Sequence, residues 1–355
     1  MSWLLAFAGF AALIILHEFG HFLVAKRTGM RVERFFLFFP PKMVSVQRGE
    51  TEYGVGWVPL GGFVKISGMN PEEKLPPEAT GRGYYDQPVW KRVAVISAGP
   101  FMNLLVCFLI LFVLAFGVRE LTSDVGEVAS GAPAAGKLQP GDELVSVDAK
   151  RGDAEVLARQ INTHECPGKQ TDGCRAATPA QVVVIRDGRT VALSIRPEYD
   201  ADVDRQRLGF TYATRPLDPS VLEAADVSVT FMVDVTVRTL SVFARLLEPE
   251  QRDQLSGVVG GYEVTRQAIE FDARAALTLI ALISLSLGII NLFPFLPLDG
   301  GHIFWSLVEK VRGRPVPFSV MERAGVVGFA LVLLIFFIGL SNDIGRLTGE
   351  GFRTR

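Results

Sequence analysis

Four long apolar runs limit what this chain can fold into. Residues 3–24, 93–118, 275–297 and 324–340 each approach or exceed the roughly 20 helical residues that cross a hydrocarbon core. With 355 residues, 49% of them hydrophobic, and a positive mean hydropathy, the chain reads as a polytopic α-helical membrane protein with four transmembrane helices. The first run has no basic leading region and no small-residue cleavage site, and it is too long for a signal peptide, so it is expected to stay as a span. Within it, "LIILHEFGHFLVAK" (13–26) places His17, Glu18 and His21 among apolar residues. A charge near the middle of a bilayer is penalised by roughly 2.5–3.5 kcal/mol, so something must compensate these groups.

Lys and Arg crowd the segment between the first two runs, from Lys26 to Arg92, and recur at Lys310, Arg312 and Arg314 before the fourth. The positive-inside rule makes both loops cytoplasmic and leaves both termini and the large segment 119–272 outside. The net charge of −2 gives no reason to expect nucleic-acid binding. A multi-pass protein of the cell (inner or plasma) membrane is the expectation.

The order expected is transmembrane helix 1 (1–25), a cytoplasmic loop (26–92), helix 2 (93–118), an extracytoplasmic domain (119–215), a helical linker (216–272), transmembrane segment 3 (273–299), a cytoplasmic loop (300–323), helix 4 (324–341) and a tail (342–355). In the first loop, "KMVSVQRGETEYGVGWVPLGGFVKIS" alternates apolar and polar residues around glycine-containing turns, as a small β-hairpin or sheet would. Outside, "VGEVASGAPAAGKLQPGDELVSVDAK" and "AQVVVIRDGRTVALSIRP" predict short strands with a hairpin turn at Asp187-Gly188. Residues 135–147 resemble the core of a PDZ domain, so a PDZ-like α+β domain is expected there. Cys166 and Cys174 fall in this segment, where an oxidising compartment permits a disulfide, and two free thiols are the alternative. From Leu222 to Leu247 apolar residues recur at helical spacing on a helix too charged to span; it would lie at the outer membrane interface or pack on the external domain.

His17 and His21, four apart, share a helix face and can meet one metal ion, while Glu18 points about 100° away, toward a water on that ion. A catalytic zinc takes three protein ligands and keeps one position open. Of the four histidines, His164 lies in the external domain. The third run ends in "NLFPFLPLDGGH", where Pro294 and Pro297 break the helix and Asp299 follows. Counting 1.5 Å per residue, His17 and His21 sit ~21 and ~27 Å below the outer end of the first span. Topology alone therefore brings the third run's end to the same side, with Asp299 and His302 as candidates for the third ligand.

"HEFGH" in the first span and "NLFPFLPLDGG" in the third, with "VPLGGFVK", "SAGPFMN", "LSGVVGG" and one PDZ-like segment, closely resemble the site-2 protease family of intramembrane zinc metalloproteases, in its bacterial sigma-E regulator branch. The likeness covers essentially the whole chain. It implies that His17, His21 and Asp299 bind Zn2+, that Glu18 is the catalytic base, and that Asn291, Gly61, Gly62, Phe63 and Asn103 bind substrate or support the site. It also implies peptide hydrolysis within the spans of single-span membrane proteins, such as anti-sigma factors or remnant signal peptides, with the PDZ-like domain gating access. Some relatives carry two tandem PDZ domains, whereas residues 122–215 have room for one. A non-catalytic PDZ-bearing membrane scaffold would be expected to have lost Glu18 or a ligand, and a metal transporter to line several spans with polar groups. Neither pattern is present: the second and fourth runs show few polar residues apart from Asn103.

Overall fold

The structure, a computed structural model, describes residues 2–70, 73–245 and 257–348. Leu247, the "LS" of "LSGVVGG" and the tail beyond residue 348 lie outside them. In chain order the elements are α1 (Ser2–Arg27), β1 (Val32–Arg48), β2 (Thr51–Ile66), α2 (Val89–Ala115), β3 (Arg119–Val128), β4 (Glu143–Val147), β5 (Lys150–Arg151) and α3 (Ala154–Ile161). There follow β6 (Ala180–Arg186), β7 (Arg189–Ile195), β8 (Glu198–Asp200), β9 (Arg205–Arg207), β10 (Phe210–Pro216), α4 (Val221–Ala244), α5 (Val258–Phe271), α6 (Ala273–Asn291), α7 (Asp299–Arg312) and α8 (Phe318–Thr348). The chain divides into two compact units, 116–220 and the remainder.

In the larger unit, α1, α2, α6 and residues Phe318–Arg346 of α8 are long and apolar enough to cross a membrane. Their outward faces expose Leu4, Phe101, Val113, Val326 and Phe337, surface that suits a bilayer. Without a hydrophobic drive between helices in lipid, small residues allow close approach. A Cβ on Gly20 of α1 would fall 2.3 Å from the Ala98 carbonyl oxygen of α2, and one on Gly288 of α6 would fall 3.2 Å from that of Pro100. The three helices thus meet at a glycine-lined crossing centred on residues 98–100.

The long hairpin β1–β2 folds back on itself. Residues 34–37 pair with 52–55 on one side and with 62–65 on the other, and 44–48 pair with 51–55. This leaves the outer edge of 62–66 free of strand partners among the described residues. Phe63 stacks on Phe36 and Phe39 with ring centroids 5.4 and 5.8 Å apart, stiffening the tip of the fold-back. Arg82 and Lys26 both bind Glu50 in the β1–β2 turn, tying it to the end of α1, and hold its carboxyl down at about 2.

Helix α4 packs on α2 and α6. Met232 and Val235 meet the cluster of Cys107, Ala281, Leu285 and Ile289 on α2 and α6. The small buried residues Ala224 and Ser228 sit one turn apart on the same helix. The Ser228 hydroxyl donates to the Ala224 carbonyl and the Thr236 hydroxyl to that of Met232, which satisfies both polar groups inside the helix itself.

The smaller unit is an antiparallel sheet in the order β10-β3-β4-β6-β7, with β5 paired to β4 and α3 packed on it. Its core joins Val125, Leu144, Val147, Leu157, Val182 and Ile195. Asp153 caps α3 by accepting the Val156 N–H, and Asp187-Gly188 turns β6 into β7 with positive φ at both residues. Asp142 is buried with a two-pronged bond from Arg186, which lowers its carboxyl below the ordinary range. Cys166 and Cys174 are disulfide-bonded, with Cα atoms 6.2 Å apart.

Candidate active site

His17 and His21 occupy successive turns on the buried face of α1, their rings edge to face with centroids 4.9 Å apart. Asp299 opens α7, eight residues after α6 ends at Asn291. The intervening loop is packed so tightly that only glycine fits around it. A Cβ on Gly300 would lie 2.2 Å from the Leu292 carbonyl oxygen, one on Gly301 2.5 Å from the Leu296 nitrogen, and one on Gly328 of α8 1.8 Å from the Leu296 oxygen. "PLDGG" is thus a turn closed by its own glycines, and it aims Asp299 back at α1.

The His17 Nε2 lies 3.2 Å from Asp299 Oδ2, His21 Nε2 lies 3.3 Å from the same oxygen, and the two Nε2 atoms are 3.3 Å apart. Asp299 Oδ2 is buried and has no hydrogen-bond partner of good geometry. The three atoms form a near-equilateral triangle with converging lone pairs. Ligands about 2.0–2.1 Å from a tetrahedral zinc stand about 3.3 Å from one another, so this donor set fits that ion. His302, the rival third ligand, is not in the cluster; it lines a separate cavity of about 210 Å³ beside Tyr84 and Arg92.

Helix α2 orients both imidazoles. His21 Nδ1 donates to the Val95 carbonyl at 2.9 Å, which leaves its Nε2 lone pair free to face inward. His17 Nδ1 is 3.0 Å from Asn103 Nδ2, and Asn103 Oδ1 has no partner among the described residues. The two ends of that amide are near-isosteric, and the oxygen end is the one that accepts the proton of a histidine ligating through Nε2. Asn103 is itself held by Ser284 of α6, which donates to its carbonyl at 2.9 Å. Between Val95 and Asn103 lies Gly99, where a Cβ would fall 2.2 Å from His21 Nε2 and 2.9 Å from His17 Cε1.

Glu18 is half-buried on the adjacent face, beside the edge segment 62–66. A Cβ on Gly62 would lie 2.9 Å from Glu18 Cγ, so glycine there lets the strand run alongside the acid. Gly61 and Phe63 flank it in the chain, and Asn291 is the last residue of α6. Sequence reading named Asn103 and the glycines of the hairpin. It did not single out Val95, which acts through its backbone, or Gly99, whose four-residue spacing from Asn103 matches that of the two histidines and was the available signal.

Because no rotamer can relieve a methyl placed on an imidazole, Gly99→Ala is expected to cut bound zinc to well below half of one per chain, measured on purified protein by atomic emission. An unchanged zinc content would refute the packing of Gly99 against the site.

The family model for Peptidase family M50 matches residues 5–335. Among curated relatives, the Regulator of sigma-W protease RasP of Bacillus subtilis is 27% identical, covering 95% of this chain and 97% of its own length. The zinc metalloproteases Rip1 of Mycobacterium bovis and Mycobacterium tuberculosis are each 32% identical, covering 94% of this chain and 92% of theirs. A match over nearly the whole chain, on a fold that joins two histidines and a carboxylate among membrane-crossing helices, leads to the conclusion that the chain belongs to peptidase family M50 and is a zinc metallopeptidase.

Proposed function

We propose that the protein cuts peptide bonds within the transmembrane segments of single-span proteins, with His17, His21 and Asp299 holding zinc and Glu18 serving as the base. The observation that carries this reading is the triangle of 3.2–3.3 Å between three ligand atoms on helices fit to cross a membrane. Zinc bound there supplies an acidified water and a polarised carbonyl. Glu18 takes the proton of the attacking water and returns it to the leaving amine, so that one carboxylate serves both halves of the hydrolysis. Gly62 lets the strand edge run alongside that carboxylate, beside His17 and His21.

A helical substrate hides its carbonyls in backbone hydrogen bonds and must be unwound before attack. The free edge of 62–66 beside Glu18 supports capture of the unwound segment as an added strand, its backbone groups meeting those of the edge. The substrate class, by family likeness, is a membrane-anchored anti-sigma factor or a remnant signal peptide.

The unit 116–220 acts as a PDZ-like domain outside the membrane, with both termini on that side and the site toward the cytoplasm. Support comes from the basic loops and from β10, which pairs with β3 alone among the described strands. We assign it to gating, because a cut inside the bilayer already selects the target through its span and leaves timing to the outer domain.

Three measurements test these assignments. Glu18→Gln should lose at least a thousandfold in cleavage while keeping one zinc per chain, and cells carrying it should accumulate membrane fragments that the unaltered protein removes; retained cleavage would exclude Glu18 as the base. For sidedness, a cysteine replacing Glu73 should resist a membrane-impermeant thiol reagent in intact cells and one replacing Asp200 should react; the reverse pattern would invert the topology. Deleting residues 122–215 should let full-length, untrimmed substrates be cut. Failure on trimmed substrates by a deletion variant that still holds zinc would replace gating with direct recognition.

A further inference from the structure

Asp299 supplies its oxygen from the first residue of a short helix whose start is held by the close contacts of Gly300 and Gly301 and by Ile303 packed against Val95 and Ile96, whereas its later turns have less apolar packing to hold their rotation. Of its 14 residues, Gly300, Gly301 and Ser306 are buried, and Phe304, Leu307 and Val311 are exposed. A cavity of about 210 Å³ lies between the later turns of α7 and Tyr84, Tyr85 and Arg92. Across that space runs a directional contact. Arg92 of α2, 3% exposed, donates to both oxygens of Glu309 on α7, at 3.0 and 2.5 Å. Its guanidinium also stands over the rings of Tyr85 and Tyr84, 5.3 and 5.9 Å from their centroids.

The spacing on both helices ties this pair to the metal ligands. On α2, Arg92, Val95, Gly99 and Asn103 follow one buried stripe, and the last three contact the histidines. On α7, Asp299, His302, Ser306 and Glu309 recur at three- and four-residue intervals, so Glu309 continues the face that bears Asp299. A turn of α7 by about 20° would carry a side-chain atom about 2 Å, several times the roughly 0.5 Å a catalytic constellation tolerates. A buried ion pair is a poor source of net stability compared with apolar packing of the same volume, whereas a two-pronged guanidinium bond fixes direction.

We propose that Arg92 is a positioning residue for the metal site: through Glu309 it sets the rotation and height of α7, and so places Asp299 Oδ2 against the two imidazoles. Arg92 touches neither the metal ligands nor substrate; it acts on the site through α7. The proposal rests on Asp299 being a ligand, and its test keeps the two ideas apart.

The full-length protein is purified as Arg92→Lys, which keeps the charge but loses the fork, as Glu309→Gln, and as the exchange Arg92→Glu with Glu309→Arg. Asp299→Asn is the reference for the ligand reading. For each, zinc release into excess chelator, the visible spectrum after cobalt replaces zinc, kcat and KM separately, and Tm are recorded. Arg92→Lys and Glu309→Gln should release zinc at least tenfold faster and shift the cobalt bands. Their kcat should fall about 10–100-fold, the usual cost of removing an outer-shell support, with KM within twofold. The exchange variant should recover at least part of both losses. Zinc release and cobalt bands unchanged in these variants overturn the proposal, and a lowered Tm with those two unchanged shows a structural pair only. Should Arg92→Lys not fold, the near-isosteric Glu309→Gln carries the same readouts. Zinc retained by Asp299→Asn would overturn the ligand reading itself; zinc lost there but held normally by Arg92→Lys and Glu309→Gln would overturn this inference alone.

Discussion

Lone pairs of two imidazoles and a carboxylate converge inside a bundle of apolar helices, and a convergence of acceptors is stable there only around a cation. Much of the larger unit can be understood from that requirement. His17 and His21 come from a single helix and need only the four-residue spacing to share a face. Asp299 comes from the far end of the chain, and bringing it in takes a helix that ends at Asn291, a loop closed on Gly300, Gly301 and Gly328, and a new helix starting at the ligand itself.

Helix α2 contributes no residue to the triangle of His17, His21 and Asp299, yet it carries most of what surrounds them. Its carbonyl at Val95 orients one ring, Asn103 meets the other, and Gly99 leaves both the space to stand. The crossing with α1 at Gly20 brings the backbones near enough for these contacts to form, and Ser284 of α6 anchors the far end. In lipid, where apolar burial does not drive helices together, such close crossings and interhelical hydrogen bonds are the means by which a site can be held rigid.

The hairpin beside the helices addresses the other half of the problem. Hydrolysis needs an extended substrate, and a bilayer favours helices because every backbone group must find a partner. Under the proposed function, a strand edge lying beside Glu18 would offer an unwound segment the backbone partners that water cannot provide. The close approach of Gly62 to Glu18 shows how near that edge runs to the proposed base.

Hydrophobic length and the positions of His17, Glu18 and His21 were legible in the sequence because each is a local property: a run long enough to span, and residues four apart on one helix. The break after Asn291 was legible from Pro294 and Pro297 for the same reason. Whether Asp299 or His302 joined the histidines was not, since both follow the break within one turn and spacing alone could serve either. The path of the "PLDGG" loop, set by close contacts with Leu292, Leu296 and Gly328, placed Asp299 in the triangle and left His302 beside a cavity. The association of α4 with the spans was hidden behind its charges, because helical periodicity shows that a helix has an apolar face and cannot show what covers it. The sequence by itself determined four helices long and apolar enough to cross a membrane and the shared face of His17 and His21; the tertiary structure decided that Asp299 joins them, which groups of α2 surround them and which strand lies beside Glu18, because each of these depends on contacts between residues far apart in the chain.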